Sequence, residues 1–60
     1  MRYILTGKYQ NGDDYADATT SVAELAYCVS EINRWSTNER VDASERVDAT
    51  TLIIETEEEQ

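Results

Sequence analysis

The spacing of apolar and polar residues changes character twice along this 60-residue chain. Arg2 to Tyr9 is rich in β-forming residues and runs into Gln10-Asn11-Gly12-Asp13. Asn-Gly at such a point is a strong hairpin signal, because a type I′ turn needs positive φ at both central residues. With Asn11 and Gly12 as a two-residue loop, Leu5 faces Ala18, Gly7 faces Ala16 and Tyr9 faces Asp14. On the other side Ile4 meets Thr19, Thr6 meets Asp17 and Lys8 meets Tyr15. That register collects Tyr3, Leu5, Gly7, Ala16 and Ala18 on one face, small enough in the middle for a helix to sit close. The opposite face is mostly polar.

From Thr20 the period becomes helical. Ser21 as N-cap with Glu24 three residues later reads as a capping box. Val22, Leu25, Ala26, Val29 and Ile32 then recur at helical spacing, flanked by Cys28 and Trp35. Glu24 and Glu31 fall on the outer side, about 10 Å apart along the axis. Arg34 suits the negative end of the helix dipole, and the helix is predicted to end between Trp35 and Thr37. The next stretch, Ser36 to Asp48, has no clear period. It contains Arg40-Val41-Asp42-Ala43 and then Arg46-Val47-Asp48-Ala49, a two-copy repeat too short for a solenoid and read as a local duplication in a loop. Thr50 to Thr56 is a third strand by its β-branched content.

Strand, strand, helix, strand predicts an α+β fold: a three-stranded antiparallel sheet with one helix packed on one face. Residues 1–56 form the single domain, and residues 57–60 an acidic, frayed tail. The third strand is placed beside the first, at the edge of the sheet. Its Leu52, Ile53 and Ile54 then offer a self-association surface. The flanking glutamates discourage random stacking and still permit one specific homodimer.

A domain this small buries only about 60% of its unfolded surface. Its stability must come from good packing or from a second copy, because the usual staples are missing. Cys28 is the only cysteine and there is no His, so neither an intrachain disulfide nor a closed zinc site can form. No cofactor is expected. The apolar run near Met1 is far shorter than the ~7–15 residues of a signal peptide or the ~20 of a membrane span, and position 2 is Arg rather than a myristoylated Gly. A cytoplasmic location is the expectation.

Charge adds the one feature that points to a partner. There are 13 Asp and Glu against 5 Lys and Arg, a net −8. Tyr9 to Asn33 holds Asp13, Asp14, Asp17, Glu24 and Glu31 and no base; Val47 to Gln60 holds five further acids and no base. Such a field repels nucleic acid and anionic membranes and attracts basic surfaces. Asp13 to Glu24 has the length of a calcium-binding EF-hand loop, but Tyr15 and Ala18 stand where a ligand and the turn glycine belong. Without His, and with Cys28 beside an apolar stripe, no catalytic residue is assigned. Tyr3 and Trp35 are expected in the core, whereas Tyr15 and Tyr27 point outward among acids, a composition suited to contact surfaces. Asp13, Asp14, Asp17, Glu24 and Glu31 with Tyr15 and Tyr27 are therefore the candidate partner-binding residues. Carboxylates at strand and helix spacings can imitate the phosphates of a nucleic-acid strand, about 3.4 Å apart in rise. The expected partner is the basic surface of another protein, of the nucleic-acid-binding kind.

This profile resembles the small acidic proteins with which bacteriophages disable host enzymes, including DNA mimics, anti-restriction proteins and polymerase inhibitors. The run Tyr15-Ala16-Asp17-Ala18-Thr19-Thr20-Ser21-Val22-Ala23-Glu24, a strand turning into a capped helix, also resembles the T7-like phage family that inhibits bacterial RNA polymerase. The resemblance implies a non-enzymatic inhibitor of a nucleic-acid-processing or defence protein, acting in the host cytoplasm, and carries over no site residue. The alternative is a structural or oligomerisation module that pairs through its edge strand.

Overall fold

The computed structural model describes residues 1–58. Along the chain lie β1 (Arg2–Lys8), β2 (Asp14–Thr19), α1 (Val22–Ser36), a 3₁₀ turn (Ala49–Thr51) and β3 (Ile53–Glu57). The strands form one antiparallel sheet in the order β2-β1-β3, with α1 on one face, so the expected α+β fold and the placement of the third strand beside the first both hold. β1 carries the most apolar pattern and takes the centre. Leu5, in its middle, is completely buried.

The hairpin register is one residue away from the expected one. Leu5 pairs with Asp17, Ile4 with Ala18, Thr6 with Ala16 and Gly7 with Tyr15. The turn explains the shift. A type I′ loop needs positive φ at Asn11, but only Gly12 has it, at 94°. Tyr9 accepts the Gly12 N–H at 2.9 Å, and the Tyr9 N–H donates to the Asp13 carbonyl at 2.8 Å. The loop is thus three residues, Gln10 to Gly12, with glycine in the left-handed position. The Asn11 side chain favours this solution by accepting the Asp13 N–H at 3.0 Å. A one-residue slip exchanges the two faces of a strand. On β2, Tyr15, Asp17 and Thr19 therefore share the helix side with Leu5, and Ala16 and Ala18 lie on the open side. The expected helix-facing alanines and outward Tyr15 are both reversed.

α1 starts as expected. Ser21 Oγ accepts the Glu24 N–H at 3.2 Å. The returning half of the capping box is relayed: the Ser21 N–H donates to Thr19 Oγ1 at 3.1 Å, and that hydroxyl donates to Glu24 Oε2 at 2.9 Å. The helix packs through Leu25, Cys28, Val29 and Ile32. Val22, expected in the stripe, is 64% exposed in the first turn, and Ala26 is exposed as well. Ser36 closes the other end. Its buried Oγ accepts the Ala49 N–H at 3.0 Å, and its carbonyl accepts Gln10 Nε2 at 3.2 Å. One residue thereby ties α1 to the 3₁₀ turn and to the hairpin loop.

The Arg-Val-Asp-Ala repeat is a repeat of structure as well as of sequence. Asp42 Oδ1 accepts the Ser44 N–H and hydroxyl, both at 3.0 Å, and its carbonyl accepts the Glu45 N–H. Asp48 Oδ1 accepts the Thr50 N–H at 3.0 Å and hydroxyl at 2.7 Å, and its carbonyl accepts the Thr51 N–H. Asn38 makes the same backbone bonds to Arg40 and Val41. Each is a turn built on an Asp or Asn side chain. The second copy reaches the sheet, where Val47 is buried and bridges Tyr9. Between the Thr6–Ile53 pair and the Tyr9–Val47 bridge, three steps along β1 correspond to six along the returning chain. The surplus forms the 3₁₀ turn, which folds over Gly7.

This turn also delays β3, expected from Thr50, to Ile53. Leu52 precedes the strand and packs against the core of Leu5, Ile32 and Val47, so the apolar surface left on the edge strand is Ile53 and Ile54. Glu57, expected in the tail, belongs to β3 and pairs with Arg2 at 3.1 Å. Glu59 and Gln60 lie outside the described residues.

Candidate protein-binding surface

The seven residues singled out by charge and aromaticity separate into three groups. Asp13 and Asp14 sit at the hairpin tip and are engaged locally: Asp13 Oδ2 accepts from the Asn11 side-chain amide at 3.0 Å, and Asp14 forms an ion pair with Lys8. Tyr15 is interior. It meets Tyr9 edge to face, 5.7 Å between ring centroids, and packs against the core. The other four come together. Glu24, Tyr27 and Glu31 stand at i, i+3 and i+7 on α1, which places them in one row. Asp17 lies on the helix side of β2, and its charge, like that of Glu24, reaches the Cys28 thiol of α1.

The row is rigid at its start, because Glu24 is tied to Thr19 and to the helix cap. Farther along, Glu31 accepts the indole N–H of Trp35. Glu31 and Trp35 then border a shallow groove of about 140 Å³ floored by Ile32 and Val47, with Glu45 on its far side. Trp35 and Glu45 extend the surface beyond the residues the sequence suggested. The signal for Trp35 was present: it follows Glu31 by four residues, one helical turn. Glu45 arrives from the loop, and only the tertiary path brings it there.

Electrostatics sharpen this side of the molecule. Among the described residues the two ion pairs, Arg2–Glu57 and Lys8–Asp14, both use bases of β1. Asp17, Glu24, Glu31 and Glu45 have none. Arg34 is the nearest base in sequence to Glu31, and its guanidinium lies over the Trp35 ring, 5.5 Å from the centroid. The unpaired acids are felt by their neighbours. Burial, then the charges of Asp17 and Glu24, push the Cys28 thiol upward, which keeps it protonated and a poor nucleophile. Burial and then Asp17 push the Tyr15 phenol from 10.0 to about 12.

That shift has a sign that can be tested. A folded-state pKa above the unfolded one favours folding fully below pH 10, and the contribution disappears as pH rises through about 12. Spectrophotometric titration should show one of the four tyrosines ionising last, and stability to urea should fall across the same interval. In Tyr15→Phe the late step should vanish and that part of the alkaline loss with it. Absence of the late step would refute the burial of Tyr15 against the core with the charge of Asp17 beside it.

Among the described residues no three His, Cys, Asp or Glu side chains converge as a metal site would require. No helix of the described chain is long and apolar enough to cross a membrane. No family model matches the chain, and no curated protein or solved structure matches it either.

Proposed function

We propose that this chain is a non-enzymatic binding protein that presses an acidic ridge, Asp17, Glu24 and Glu31 with Tyr27, against a basic surface of another protein. The observation that carries the reading is the arrangement of charge. The acids of the ridge have no ion-pair partner among the described residues, whereas β1 consumes two of the five bases. Tyr27, 66% exposed between Glu24 and Glu31, supplies the aromatic anchor that such interfaces favour. Glu24 and Glu31 stand about 10 Å apart along the helix, roughly three phosphate steps of a nucleic-acid strand. A nucleic-acid-processing or defence protein is the partner this spacing suits, and occupation of its basic groove would inhibit it. Direct binding to nucleic acid is opposed by like charge. The resemblance to small phage inhibitors makes a host protein in the host cytoplasm the natural target. A second reading, an oligomerisation module, is favoured by the exposure of Ile53 and Ile54, 56% and 44%, on an edge strand.

Retention of proteins from bacterial lysate on the immobilised chain separates charge-directed binding from mere stickiness. A DNA- or RNA-binding protein should be held at low ionic strength and released towards physiological salt, where exposed charges are screened beyond about 8–10 Å. Glu31→Lys should weaken retention ~tenfold or more, whereas Glu58→Lys, the same reversal beyond β3, should change it little. Equal losses from the two variants would mean that net charge alone acts, and no loss from either would overturn the reading.

A further inference from the structure

The observed hairpin register leaves the sheet face opposite α1 uncovered, and that face is apolar in its middle. Alternate residues of β1 place Ile4 and Thr6 there. Their cross-strand neighbours are Ala18 and Ala16 on β2 and, on β3, Glu55 beside Ile4 and Ile53 beside Thr6, so the apolar patch is bordered by one carboxylate at its β3 edge. Both alanines and Ile53 are exposed, and α1 and the 3₁₀ turn lie on the other face. An antiparallel sheet with one face in water normally turns its apolar side chains inward and its polar ones outward. β2 departs from this, keeping Asp17 and Thr19 on the helix side with Tyr15 and turning both alanines outward. Small side chains also make the open face flat, which suits the ~10 Å approach of a second sheet.

Charge selects what can lie on it. The face carries two bases, Arg2 and Lys8, and three acids, Asp14, Glu55 and Glu57, so it holds one of the chain's eight net negative charges. Its two ends are closed by the Arg2–Glu57 and Lys8–Asp14 pairs. Two copies of so acidic a chain repel one another over the remaining surface, and least here. Pairing through the β3 edge would instead crowd Glu55 and Glu57 of both copies along one ladder, where like charges destabilise. Among the described residues only three apolar side chains are buried, Leu5, Ile32 and Val47, which adds the motive, since small domains gain from association. We propose that this open sheet face is the interface of a homodimer, sheet against sheet. The acidic ridge on α1 stays free in this arrangement, so the dimer and the proposed partner binding stand or fall separately.

Sedimentation equilibrium over a rising concentration series tests it. The wild-type chain should approach twice its 6.8 kDa mass. Ala16→Glu/Ala18→Glu, at exposed positions of the face, should remain at the monomer mass throughout, with its helical circular dichroism unchanged. Ala23→Glu/Ala26→Glu adds the same charge to the exposed side of α1 and should still dimerise. Should the β2 double variant fail to fold, Ile53→Lys probes the same face from β3, and Ile54→Lys is its control because Ile54 pairs with Leu5 on the helix side. Dissociation by Ile53→Lys alone supports face-to-face packing. Equal dissociation by both lysine variants, a dimer that survives the β2 double variant, loss of the dimer through the α1 charges as well, or a wild-type monomer at every concentration would each overturn the proposal.

Discussion

Leu5→Ala is expected to remove a large part of the chain's stability and to lower its urea midpoint by ~1 M or more. Among the described residues Leu5 is the one large side chain with no exposure at all, and the buried apolar core around it consists of Ile32 and Val47. Truncating a buried leucine costs about 2–5 kcal/mol, because the lost burial is compounded by the cavity left behind. A domain of this length has on the order of 3–9 kcal/mol in total, at ~0.05–0.15 kcal/mol per residue. The substitution therefore removes a large fraction of the stability, and few neighbours are available to collapse into the gap. Ile53→Ala, on the open face and 56% exposed, is the contrast and should shift the monomer's stability by less than about 1 kcal/mol. Urea titration followed by helical circular dichroism measures both. A Leu5→Ala variant that unfolds cooperatively within a few tenths of a molar of the wild type would show that the core does not centre on β1. If the sheet faces pair, the measurement is best made at low concentration, where dissociation contributes least.

The contrast between Leu5 and β2 shows where the sequence was legible. β1 could be read because its apolar residues alternate around a single best face, and α1 because Ser21 and Glu24 mark its start. The face of β2 could not be read from pattern, because Ala16 and Ala18 alternate with Tyr15 and Asp17, and neither set is plainly apolar. The decision then fell to the turn. Asn11-Gly12 supports two loops, and the side chain of Asn11, by bonding to the Asp13 N–H, supports the three-residue one. Everything downstream on the candidate surface inherits that choice, including the inward Tyr15 and the placement of Asp17 on the helix side. The start of β3 departs from strand propensity for a related reason. Thr50 and Thr51 have strand propensity, but the carboxylate and carbonyl of Asp48 capture their N–H and hydroxyl groups, and local side-chain bonds of this kind compete directly with a ladder. The Asp-x-Ser and Asp-x-Thr steps of the repeat carried that signal. On α1 the acidic row followed from helical spacing alone, whereas Glu45 could be placed only once the loop's path was known.

The two glycines should respond oppositely to the size of what replaces them. Gly12 has φ 94° and nothing within 4 Å of the position a Cβ would take. Its requirement is conformational, so alanine should already cost most of the penalty, about 1–2 kcal/mol for an L-residue forced to positive φ. Valine should add only a little more, through β-branching. Gly7 is the reverse case. It sits in regular strand, where alanine has no backbone objection, but a Cβ there would lie 3.2 Å from Thr51 Oγ1 and 3.4 Å from the Thr51 carbonyl. Thr51 cannot retreat freely, because its hydroxyl accepts the Lys8 N–H at 2.9 Å and donates to the Asp48 carbonyl at 2.7 Å. Alanine at position 7 should therefore cost little more than the few tenths of an ångström its neighbours must yield. Valine should push the 3₁₀ turn off the sheet, loosening Leu52 and Ala49 from the core and the Ala49 bond to Ser36 with them. Overpacking of this kind costs about 1–3 kcal/mol, and the loss of a part-buried hydrogen bond adds ~1 kcal/mol. The expected order of destabilisation is Gly7→Val largest, then Gly12→Val and Gly12→Ala close together, then Gly7→Ala. Urea midpoints of the four variants give that order directly. A small Ala-to-Val step at Gly7, or a large one at Gly12, would mean that the 3₁₀ turn does not close over β1 or that the hairpin loop does not hold glycine in the left-handed region.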